Sequence, residues 1–116
     1  MSDDPIKQQM RRLKERTWHI LDKESFHVGE ARGKATNVCD FICMDKSGYR
    51  LVKVCLQTIS PVDLGRLLSF NDSRDPGTII QIFFWKKHEH QPFFRAKLYY
   101  DRPEQPISAL LQKLVK

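Results

Sequence analysis

Between residues 5 and 23 the apolar side chains return every third or fourth position. Met10, Leu13, Thr17, Ile20 and Leu21 fall on one side of a helix, the spacing of a segment buried along a single stripe. The pattern then becomes that of extended chain. A short strand is expected over 26–30. Gly29 and the stretch 31–37 (ARGKATN) suggest a mobile, basic loop. Two strong strands are expected at 38–44 (VCDFICM) and 49–56 (YRLVKVCL), joined by a turn at 45–48. Both are apolar on nearly every residue, as strands covered on two sides are. Ser60-Pro61-Val62-Asp63 is a helix start: serine caps, proline suits the first helical position, and aspartate favours the positive helix end. Leu64, Leu67 and Leu68 give that helix a short apolar side, with Phe70 near its end. Asp75-Pro76-Gly77 breaks the chain. The run 78–85 (TIIQIFFW) reads as a central strand, KKHEHQ as a polar turn, and 93–100 as a further strand. In that last strand Arg95 and Lys97 face away from Phe94, Ala96 and Leu98. Ile107, Leu110, Leu111 and Leu114 mark a closing helix within 102–116.

The order is helix, three strands, helix, two strands, helix. Strands 38–44 and 49–56 form an antiparallel hairpin. The step through the second helix to 78–85 is a right-handed crossover between parallel strands. The expectation is an α/β fold, a mixed sheet with helices on both faces, in one domain spanning 1–116. Residues 1–5 are expected to be disordered.

Charge adds a partner to this picture. Twenty Lys and Arg against fourteen Asp and Glu leave a net charge of +6 and a pI near 9.4. A surplus of this kind suits a polyanion, and nucleic acid is the commonest one. Lys7, Arg11, Arg12, Lys14 and Arg16 crowd the first half of the first helix, where they face either solvent or phosphate. No apolar run approaches the roughly 20 residues of a membrane span, and the first twelve residues lack the apolar core of a secretion signal. Cys39, Cys43 and Cys55 each sit in an apolar run, as buried reduced thiols of a cytoplasmic protein do. A zinc site would use the same cysteines with a histidine, but no CxxC or HxxxH spacing is present.

Asp40 and Lys53 are charges inside strands that read as buried, and a buried charge is costly unless it is paired or used. A turn centred on Lys46 and Ser47 pairs Met44 with Tyr49 and Ile42 with Leu51. It then sets Asp40 opposite Lys53 on one side of the sheet. Two readings follow: a cross-strand ion pair, or a metal-binding carboxylate beside a lysine in a phosphodiester-hydrolysing site.

The helix, the D…VK hairpin, and VDLGRLLSF (62–70) leading to TIIQIFFW together resemble the archaeal Holliday junction resolvases of the PD-(D/E)xK nuclease superfamily. The likeness runs over about residues 10–100 and follows the element order. It implies a restriction-endonuclease-like core, a homodimer and four-way DNA junctions as ligand. By this resemblance Asp40 matches the metal-binding aspartate, Lys53 the catalytic lysine and Glu15 the first-helix glutamate. Leu51 stands where the family has the glutamate of its ExK motif, so the sequence reads LVK. A leucine cannot bind Mg²⁺, which leaves Asp40 and Glu15 as ligands. Glu30 and Asp45 are further carboxylates, but neither stands at the family's position. The resemblance assigns DNA contacts to Arg11, Arg12, Lys14 and Arg16 in the first helix, Arg32 and Lys34 in the loop, and Arg66 in the second helix.

Smaller features remain. His88 and His90 flank Glu89 in a turn, a polar tip with no third metal ligand in view. One or two of Trp85, Phe93 and Tyr99 are expected to be exposed, as a partner interface or as a stacking surface for single-stranded bases near Arg95 and Lys97. The reading placed first is a catalytically impaired DNA-binding protein of nuclease fold, taking branched or duplex DNA. The alternatives are an active Mg²⁺-dependent endonuclease and a structural subunit docked on a larger assembly.

Overall fold

The computed structural model describes residues 4–24, 27–45, 48–69, 78–99 and 108–116. It contains helix α1 (Pro5–Lys23), strand β1 (His27–Glu30), a short 3-10 helix (Gly33–Asn37), strands β2 (Phe41–Asp45) and β3 (Gly48–Leu56), helix α2 (Pro61–Ser69), strands β4 (Ile79–Trp85) and β5 (Phe94–Tyr99), and helix α3 (Ala109–Leu114). The five strands lie in one sheet in chain order. β1–β2, β2–β3 and β4–β5 are antiparallel, and β3–β4 is parallel. The fold is therefore the mixed-sheet α/β class that the hydrophobic pattern predicts. The hairpin register also agrees, with Met44 opposite Tyr49 and Ile42 opposite Leu51.

The near-continuous apolar strands are explained by two cores, one on each side of the sheet. α1 supplies Leu13 and Leu21 to the first, against Phe41, Cys43, Val52, Val54, Phe83 and Trp85. Leu64 and Leu67 of α2, Leu111 of α3 and Ala35 of the 3-10 helix supply the second. They pack against Leu51, Cys55, Ile80, Ile82, Phe84, Ala96 and Leu98. Alternate residues of one strand feed opposite cores.

A hydrogen-bonded relay lets a tryptophan sit fully inside the first core. The Trp85 indole Nε1 donates to Thr17 Oγ1 at 3.0 Å, and the Thr17 hydroxyl donates to the Leu13 carbonyl at 2.8 Å. No polar atom of the pair is left unmatched, which is the condition for burying it.

Local chemistry sets the helix ends. The Asp4 carboxylate accepts from Ile6 N–H at 2.8 Å, and Pro5 is the first helical residue, so the helix starts inside the stretch expected to be disordered. Ser60 Oγ accepts from Asp63 N–H at 3.1 Å, and Ser108 Oγ accepts from Leu111 N–H at 3.2 Å.

Several expectations change. The ARGKATN stretch contains an ordered 3-10 turn, because Ala35 is buried in the second core and Thr36 Oγ1 donates to the Gly33 carbonyl at 2.8 Å. β2 begins at Phe41 and not at Val38, since the N–H groups of Val38 and Cys39 both bond back to the Ala35 carbonyl. Trp85 is wholly buried and cannot belong to an exposed patch, whereas Phe93 and Tyr99 are exposed. On α3 Leu111 is buried, but Leu110 faces out. Phe26, Phe70, the break at Asp75-Pro76-Gly77, Arg102-Pro103 and Ile107 lie outside the described residues.

Candidate nucleic-acid interface

The 3-10 turn ends at Asn37, and Val38, Cys39 and Asp40 link it to β2, with Asp40 at the junction. Its backbone is stitched into the sheet on both sides. Asp40 N–H donates to the Val52 carbonyl at 2.8 Å, and its own carbonyl accepts from Ala31 N–H at 3.1 Å. Along β3 the even residues from Val52 turn their backbone groups toward β2. β2 stops at Phe41, so the N–H of Val54 has run past the last strand carbonyl. The Asp40 carboxylate takes its place, accepting from Val54 N–H at 2.7 Å. Its other oxygen lies 3.2 Å from Lys14 Nζ of α1, and the Asp40 side chain is only 11% exposed.

Lys53 goes elsewhere. Val52 and Val54 pack in the α1 layer, while Leu51 and Cys55 pack in the other. Lys53 alternates with the valines and so lies in the layer of α2 and α3. Asp40 leaves the strand register at a bend, and the cation within ion-pair distance of its carboxylate is Lys14. Burial, reinforced by the Asp40 carboxylate, pushes the Cys39 and Cys55 thiols up to about 12, against the opposing pull of Lys53. All three cysteines are free and buried.

Asp40 lies on the wall of a cleft of about 440 Å³ between α1 and the β1–β2 edge. Arg11, Lys14, Glu15 and Trp18 form the helical wall, and Glu30, Thr36, Cys39 and Asp40 lie opposite. The structure thus brings Asp40, Glu15, Arg11 and Lys14 together. It also places Glu30 there, since Glu30 pairs with Phe41 and is carried next to Asp40. Among the described residues no three His, Cys, Asp or Glu side chains converge as a metal site.

The donors expected for Mg²⁺ fit poorly. Asp40 already serves a backbone N–H and an ammonium group. Leu51, 3% exposed, is a core residue and not a vacant ligand position.

The remaining basic residues do not converge on this cleft. Arg12 and Arg32 are exposed. Arg16 donates to the Glu89 carbonyl in the β4–β5 turn. Arg66 pairs with Asp63 at 3.8 Å on α2, across the sheet from α1. The side chains of Lys34 and Asp45 lie outside the described residues. His88 and His90 are exposed in the β4–β5 turn. Arg95 lies 4.4 Å from the Phe83 ring centre and is held by Glu24 at 2.8 Å.

Trp18 is the residue that the periodicity overlooks. It sits beside the buried stripe and is 38% exposed on the cleft wall. The available signal was its spacing, seven residues after Arg11 and four after Lys14, which puts all three on one helical face.

Neither the models of known protein families nor the curated proteins compared with this sequence match it. No helix among the described residues is long and apolar enough to cross a membrane.

Proposed function

We propose that this chain is a DNA-binding protein of Holliday junction resolvase-like nuclease fold with impaired cleavage, acting on branched or duplex DNA as a homodimer. Three features support the DNA reading: the element order, the surplus of six positive charges, and a basic first helix. The observation that carries the loss of cleavage is the engagement of Asp40. Its carboxylate closes the end of the β2–β3 ladder and pairs with Lys14. A fold hosts many functions, so the site decides, and a carboxylate already held by a backbone N–H and an ammonium group supports the reading of impaired cleavage.

Binding through phosphates must weaken as salt competes. Duplex and four-way-junction affinity measured over a salt series should fall steeply. The double variant Arg11→Ala/Arg12→Ala should weaken both ligands and reduce the slope by up to about two counterions. An unchanged slope would remove the first helix from the interface. Absence of binding at low salt would remove the function.

A further inference from the structure

We propose that the cleft between α1 and the β1–β2 edge takes one unpaired, amino-bearing nucleobase, stacked on the Trp18 indole. The inference rests on the DNA-binding reading and names the part of the ligand that enters.

Electrostatics decides which part that is. Two cations and three carboxylates border the cleft, an excess of one negative charge, and Lys14 is already neutralised by Asp40. A phosphate would meet repulsion from Glu15 and Glu30, so the backbone stays outside, where exposed Arg12 and the rest of the basic helix lie. A base carries no charge. The volume of about 440 Å³ falls in the ordinary range for small-molecule sites.

Trp18 supplies a flat apolar wall, and stacking of this kind tolerates any base because every base has a π face. A single exposed tryptophan needs no special explanation. Here, though, the ring borders a concave site that also carries the carboxylates of Glu15 and Glu30, beside Arg11, Lys14 and Thr36. Ionised carboxylates accept and cannot donate. Glu15 and Glu30 therefore suit the amino groups of cytosine, adenine or guanine, which thymine lacks.

A continuous duplex cannot deliver a base without unstacking it, at a cost. Single strands and junction centres can. The site consequently favours DNA with unpaired bases over blunt duplex of equal length.

The test uses the full chain with oligo-dC, oligo-dT and a blunt duplex of matched length, at low salt and pH 8. The protein holds two tryptophans, and Trp85 is wholly buried, so ligand-dependent quenching of emission reports Trp18. We expect oligo-dC to quench emission and to bind more tightly than oligo-dT. Trp18→Ala should weaken oligo-dC roughly tenfold and leave the duplex unchanged. Trp18→Phe should keep most of the affinity and lose the quenching, with Trp85 emission confirming the fold. Equal weakening of duplex and oligo-dC by Trp18→Ala, or equal affinity for oligo-dC and oligo-dT, overturns the inference and leaves the DNA reading intact. If no DNA binds at all, both fall.

Discussion

Replacing Asp40 with alanine separates a structural carboxylate from a catalytic one. In the folded chain the carboxylate accepts from Val54 N–H at 2.7 Å and lies 3.2 Å from Lys14 Nζ. Asp40→Ala leaves the Val54 N–H unpaired at a site that is largely enclosed. An unmet donor of this kind costs about 1–3 kcal/mol. The ion pair adds little, because Lys14 is 44% exposed and such pairs are worth about 0–1 kcal/mol. The expected loss is therefore about 1–4 kcal/mol. Asp40→Asn keeps an acceptor for Val54 and should lose about 1 kcal/mol or less. Lys14→Met should lose less than about 1 kcal/mol. Urea unfolding followed by circular dichroism measures all three as shifts in midpoint at constant slope. A carboxylate retained for catalysis behaves in the opposite way, since active sites commonly give up stability and neutralising them often restores it. An Asp40→Ala protein as stable as the parent, or an Asn variant as damaged as the Ala variant, would refute the reasoning.

Three further outcomes follow from the same packing. Leu51→Glu, which restores the acidic residue of the ExK pattern, should destabilise by roughly 3 kcal/mol or more by setting a carboxylate in the second core; a more stable protein in Mg²⁺ would contradict this. Thr17→Val keeps shape but strands the Trp85 N–H, at a cost of about 1–3 kcal/mol in the same unfolding assay. Cys39 and Cys55 should react slowly with a thiol reagent at pH 8 and quickly once unfolded, because burial pushes both thiols up to about 12. The unfolded thiols ionise near 9.0 and the folded ones do not. Their contribution to stability is thus full below pH 9 and declines as pH rises from 9 toward 12, a fall that denaturation in that window should show.

The elements were legible because the apolar positions obey one period at a time. Leu13, Thr17 and Leu21 mark a helix, and the runs around Ile42, Val52 and Phe83 mark strands buried on both sides. Turn length fixed the hairpin register, with Met44 opposite Tyr49. The site was harder to read, for physical reasons. Alternation along a strand assumes that the strand continues, and Asp40 lies one residue beyond its end, where a 3-10 turn frees the carboxylate to turn toward α1. Extending the register through that bend paired Asp40 with Lys53. Glu30 reaches the cleft only through the β1–β2 pairing, which no turn signal specifies. Trp18 is hidden next to a buried stripe, and its exposure depends on how far the β1–β2 edge reaches.

Retention and cleavage of one labelled four-way junction, scored side by side with Mg²⁺ or Mn²⁺ and with duplex and single-stranded controls, test the central claim most directly. Retention that salt abolishes, with every strand left intact, is the expected result. Metal-dependent scission that Asp40→Asn removes would contradict it, and so would failure to retain any of the three substrates at low salt.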